Sequence, residues 1–184
     1  WFSGAIFGDL GKTLIDERDI VDLIWHPLLN SVILGAVSTA ITLPTAFTIG
    51  SITGYKRGSR TDAAVSTLTI VGYSIPDFVI GNVLIILFAV WLALFPAVIF
   101  VFSNASTSEL LAVSLLPALT VIIGHVAHQS RLLRAGFIET MNSEFVERAR
   151  LSGLSERRVV FRHALPASVI PMLNSLALYV AGLL

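Results

Sequence analysis

The sequence contains no cysteine, which excludes a disulfide framework, a thiolate metal site and a cysteine nucleophile. Charge is scarce as well. Only 13% of the 184 residues are Asp, Glu, Lys or Arg, against about 25% in soluble domains. With 55% hydrophobic residues and a mean hydropathy of +0.84, this balance points to a membrane protein. Lys and Arg are missing from 96–109, and every charge is missing from 31–53. There is no H-E-x-x-H, no G-x-S-x-G and no carboxylate pair across two apolar runs, so an intramembrane enzyme finds no support. GDLGKT near the start invites a phosphate-loop reading. That fingerprint needs a glycine where Ile6 stands, and the nucleotide site is rejected.

Long apolar runs separated by charged loops are what the chain does have. Residues 1–29 are mixed and acidic and read as an extracytoplasmic lead-in. The uncharged run 31–53 would extend about 34 Å as a helix, enough for a hydrocarbon core of about 30 Å. Its scattered Gly35, Ser38, Thr39, Thr42 and Thr45 suit close helix contacts. Further apolar stretches cover 63–95, broken by Pro76 and Asp77, then 110–129 and 164–184. Ten of the twelve basic residues fall in 54–62 and 130–163. Basic loops favour the cytoplasm, and these two share a side only if 63–95 is one kinked span rather than a hairpin. The expectation is therefore an all-α polytopic transmembrane bundle, with spans at 30–53, 63–95, 110–129 and 164–184 and a cytoplasmic loop at 130–163. Trp1 in place of Met, and an apolar run still open at Leu184, give the further expectation of a fragment with an incomplete last span.

The most distinctive stretch is EFVERARLSGLSERRVVFRHALP, Glu144 to Pro166. Ser143 is a candidate N-cap for a short helix, Glu144 sits in its first turn, Arg148 and Arg150 lie late, and Gly153 suits the position after its end. Phe145, Ala149 and Leu151 give it a partly apolar face. Glu144 and Arg148 are i,i+4 partners worth about 0.2–0.5 kcal/mol. Ser155 can cap a second helix, expected to end where Pro166 opens the next span, with His163 marking that end.

Here the chain resembles the importer-type permeases of ABC transporters. Their cytoplasmic loop reads E-A-A, three residues, Gly, nine residues, Ile, one residue, Leu-Pro. In this chain Glu147, Arg148 and Ala149 precede Gly153, and residues 154–162 lead to His163, Ala164, Leu165 and Pro166. Arg148 in the second position of E-A-A and His163 for the Ile are departures shared with the peptide and nickel branch. FGDLGKTL, NSVILGA, RGSRTD, GYSIPDF, ILFAVWLALFP and SLLPALT resemble the B-type subunit of dipeptide and oligopeptide importers, in order along the chain. The resemblance implies a permease without catalytic residues or cofactor. It also implies coupling to a cytoplasmic ATPase through Glu144, Phe145, Glu147, Arg148, Ala149, Arg150, Gly153, His163, Leu165 and Pro166. The partners it implies are a second homologous permease subunit, two ATPase subunits, an extracytoplasmic substrate-binding protein and the lipid bilayer, but no nucleic acid.

Asp77 is the one carboxylate deep in an apolar run, where an insertion cost of about 2.5–3.5 kcal/mol sends it towards the bundle interior or water. Two roles stand side by side: with Pro76 it lines a pathway, or it caps the helix starting at Phe78. His125 and His128, at i,i+3, have metal-compatible spacing but no carboxylate or thiol at matching offsets, so they read as hydrogen-bonders between helices. An ion-gradient-driven transporter or channel is the competing class, and it would draw on these same few ionisable groups.

Overall fold

The computed structural model describes residues 2–96 and 107–183. Among these the chain is helical with no strand; a single bridge between Lys12 and Asp19 closes the turn after the short helix α1, Phe2–Ile6. Trp1, residues 97–106 and Leu184 lie outside the described set, and with them most of the stretch 96–109 that lacks Lys and Arg.

Helix α2 runs Ile20–Tyr55, 36 residues with Pro27 and Pro44 inside it. At 1.5 Å per residue it is about 54 Å long. It begins well before the uncharged run, because Asp22 near its start and Pro27 do not remove enough backbone partners to stop a helix. Residues 20–29, expected in the lead-in, therefore belong to α2. The hydroxyls of Thr45 and Thr48 donate to the carbonyls of Ile41 and Pro44, each at 2.7 Å, so these polar groups are satisfied within the helix.

The stretch 63–95 breaks more sharply than a kinked span. Helix α3, Arg60–Ser74, and helix α4, Asp77–Leu84, continued by π-helical turns to Trp91, meet at 97°. The cause is local. Pro76 excludes the α region for the residue before it, and Ile75 is extended at φ −84°, ψ 124°. The Pro76 carbonyl then accepts the first bonds of the new helix, from Val79 and Ile80. Each arm is about 22 Å long by its rise, too short to cross alone.

Helix α5, Thr107–Met141, contains the expected span 110–129 and continues beyond it. After the short helix α6, Glu144–Leu151, the chain re-enters a helix at α7, Glu156–Arg158, passes through π-helical turns at Val159–Ala164, and continues as α8, Leu165–Ser168, and α9, Ile170–Leu183. Glu156–Gly182 is long and apolar enough to span a bilayer, as is α2, and the bent α3–α4 pair makes a third if it counts as one span. The helix end expected at His163–Pro166 does not occur. Pro166 sits in the first turn after the wider π turns, where a missing N–H costs little.

Small residues let the long helices touch. A Cβ on Gly50 would stand 2.7 Å from the Ser130 carbonyl oxygen, one on Gly54 2.8 Å from the Phe137 ring, and one on Gly136 2.9 Å from the Ser168 carbonyl oxygen. With Ser38, Thr42 and Ala46, all fully buried, Gly50 and Gly54 complete a four-residue-spaced stripe of small side chains on α2. Ala46 packs with Leu133 and Met172. Further up the bundle, Gln129 donates to Ser175 at 3.3 Å and the His125 ring lies 3.7 Å from that of Tyr179.

Candidate functional site

The charged elbow is built on α6. Ser143 holds the N-cap backbone geometry, but its hydroxyl turns back to the Thr140 carbonyl, and the first-turn amides of Val146 and Glu147 bond to the Ser143 carbonyl. Ser155 likewise occupies the N-cap position of α7 without a side-chain cap. The C-terminal end of α6 is closed more firmly. Gly153 has φ +78°; its amide donates to the Arg150 carbonyl at 2.9 Å, and the Leu154 amide reaches the Ala149 carbonyl at 3.4 Å. This crossed pair is a Schellman closure, which needs a left-handed residue where Gly153 stands.

Across that turn, Arg150 makes a two-pronged bond to Glu156, at 2.8 and 3.1 Å, clipping α6 to α7. The Arg150 guanidinium holds the Glu156 carboxyl below the usual carboxylate range. Glu144 and Arg148 meet at 3.0 Å on the exposed side. Beneath the charges lies an apolar rivet. Val146, Val159, Val160, Ala164 and Leu165 are buried against Phe137 near the end of α5, with Met141, Ala149 and Leu154 around them. Val146 was absent from the apolar face expected from sequence. Phe145 and Leu151, which were on it, point outward at 45% and 81% exposure. Glu147 and Pro166 are exposed, and His163 is half-buried within the π turns.

Sequence reasoning also missed a pair that ties the two basic loops together. Asp62 accepts from Arg134 through both carboxylate oxygens, at 2.7 and 2.8 Å, and its side chain is 5% exposed. Gly58 N–H and the Ser66 hydroxyl complete its shell, and the Ser59 hydroxyl accepts from the Asp62 amide. Arg134 holds this carboxyl far below its ordinary range, and Asp62 in turn raises the guanidinium. Ser59-x-x-Asp62 is a capping pattern readable in advance; its partner 72 positions away is not.

Pro76 and Asp77 stand apart from the elbow, at the α3–α4 bend. The N-cap position is Pro76, not Asp77; Asp77 is the first helical residue, exposed, with a carboxylate oxygen 3.0 Å from where a Gly124 Cβ would lie. An acid in a first turn still favours the helix start. The two histidines face different helices. His125 contacts Tyr179 of α9, while His128 stacks on Tyr73 of α3 at 5.0 Å.

Comparison with known proteins adds a family. Residues 46–184 match the family described as "Binding-protein-dependent transport system inner membrane component". The chain is 29% identical over 178 residues to the oligopeptide transport system permease protein OppB of Haemophilus influenzae, covering 96% of this chain and 56% of that one. It is 30% identical over 185 residues to the dipeptide transport system permease protein DppB of Bacillus subtilis, covering 100% of this chain and 58% of the relative. The chain thus spans about half the length of the curated relatives it matches. A lattice of long apolar helices, a clipped basic elbow and this match over most of the sequence place the chain among the binding-protein-dependent transport system inner membrane components, multi-pass proteins of the inner membrane.

Proposed function

We propose that the protein carrying this chain is the membrane-spanning subunit of an ABC importer for di- or oligopeptides, and that the 144–166 elbow couples it to a cytoplasmic ATPase. In this reading it is not itself an enzyme. It pairs with a second permease subunit and takes substrate from an extracytoplasmic binding protein. The peptide class is supported by the relatives named as oligopeptide and dipeptide permeases.

One observation carries the coupling role: the elbow is tied to itself and to the long helices at several points. Its first helix is closed by the Gly153 turn, clipped by Arg150–Glu156 and riveted by Val146 to the end of α5, and its second helix runs on into α9. A push on Phe145, Glu147, Arg148 or Leu151 would move α5 and α9 rather than dissipate in a loop. Such rigid-body transmission is what alternating access requires. Pro76 and Asp77, at the break between two half-length arms, are the proposed pathway-lining positions.

The test is uptake into proteoliposomes holding the complete transporter, with a cysteine at Glu147 for crosslinking. Expected are uptake that stops without ATP and survives collapse of the proton gradient, and a Glu147→Cys crosslink to the ATPase subunit. Uptake that tracks the ion gradient instead would select the secondary-transporter class.

A further inference from the structure

A groove of about 440 Å³ opens between the inner end of α2 and the second limb of the elbow. Its walls are apolar, with Phe47, Ile52, Phe161 and Leu165 among them, and the Phe161 ring is 67% exposed. Lys56 and Arg157 also line it. Neither cation has an ion-pair partner among the described residues, unlike Arg134, Arg148 and Arg150. An apolar slot fitted with two free cations, at the depth where apolar helix gives way to basic loop, matches a molecule with a fatty chain and an anionic head.

From this juxtaposition we infer that the groove holds an anionic phospholipid of the cytoplasmic leaflet. One acyl chain lies between α2 and the π turns, and the phosphate is held by Lys56 and Arg157. The inference rests on the cytoplasmic placement of the two basic loops, but not on the substrate or the energy source. The charge argument favours lipid over a neutral protein segment. Each cation near the membrane surface favours an acidic lipid by roughly fivefold, and the pair by about 30-fold.

The experiment uses the complete transporter in nanodiscs containing phosphatidylcholine and phosphatidylglycerol in equal amounts, with retained lipids counted by native mass spectrometry. The wild type is expected to keep phosphatidylglycerol in preference to phosphatidylcholine. The Lys56→Gln/Arg157→Gln variant should lose most of that preference. Equal retention by the two proteins overturns the inference. A photo-crosslinking amino acid at Phe161, in a chain with both cations intact, covers the case where the double variant fails to fold. A lipid adduct supports the site, and an adduct to another protein segment overturns it. Whether the loops face the cytoplasm is read separately by reagent access from each side, so a wrong topology and an empty groove give different results.

Discussion

At the residue scale the sharpest demand falls on Gly153. A side chain there would meet nothing within 4 Å, so any cost of substitution comes from its φ of +78° and not from crowding. Holding an L-residue in that region costs roughly 1–2 kcal/mol, and a β-branched one is the least tolerant. Gly153→Val is therefore expected to open the Schellman turn and loosen α6 from α7 while leaving insertion and folding of the long helices intact. The measurement is peptide uptake per ATP hydrolysed. It should fall several-fold in Gly153→Val and less in Gly153→Asn, since asparagine tolerates the left-handed region better. Unchanged coupling in the valine variant would remove the clipped elbow from the mechanism. This residue was legible in sequence, because a glycine following a helix pattern with late basic residues has few other meanings. The division of its neighbours into inside and outside was not. Phe145 and Leu151 are larger than Val146, yet Val146 faces Phe137, and that choice depends on where α5 ends.

The elements are held by two different kinds of force. Within the apolar bundle, lipid is as oily as leucine, so α2 and α5 gain from close approach along the small-residue stripe and not from leaving water. At the charged end the helices meet water, and two hydrogen bonds from Arg134 to the Asp62 carboxylate tie α3 to α5, while Gly58 and Ser66 hold the carboxylate from its own side. Removing one partner of a buried pair costs about 3–5 kcal/mol. Arg134 is 30% exposed, which puts Asp62→Asn at the lower end of that range. The expected outcome is a lower melting temperature in detergent, with an Asp62→Asn/Arg134→Gln double variant recovering part of the loss. Because the folded-state carboxyl titrates far below its unfolded value, the pair's contribution is complete above about pH 4. It fades only as pH falls further, so melting between pH 5 and 8 should not report on this pair. The long helices were readable because charge-free length is a one-dimensional property. The 97° break was read too mildly, as a kink, because sequence places a proline but does not say whether the helix beyond it keeps its direction. The ion pair was invisible for a related reason, since pairing across 72 residues follows from packing that no local pattern records.

For the molecule as a whole, the central question is which way it faces, and we propose the orientation that the charge distribution favours. The loops at 54–62 and 130–163 are joined directly by Asp62–Arg134, so the bundle cannot place them on opposite sides of a membrane. That contact is independent of the positive-inside rule, which assigns both loops to the cytoplasm. The lead-in with Asp16 lies beyond the other end of α2, about 54 Å away along a 36-residue helix by its rise. These 184 residues contain no cysteine, so single cysteines placed in them test the orientation once any in the rest of the transporter have been replaced. In intact cells a membrane-impermeant maleimide is expected to label Asp16→Cys and to spare Arg57→Cys and Glu147→Cys. In inside-out vesicles the pattern should reverse. Asp77→Cys, exposed at the break between the two half-length arms, should react only when a water-filled passage reaches it, and its labelling should change when ATP is supplied. Labelling of Arg57→Cys and Glu147→Cys from opposite sides would contradict the ion pair itself. Labelling of both from outside would leave the fold intact and invert the transporter, taking the elbow out of reach of any cytoplasmic ATPase.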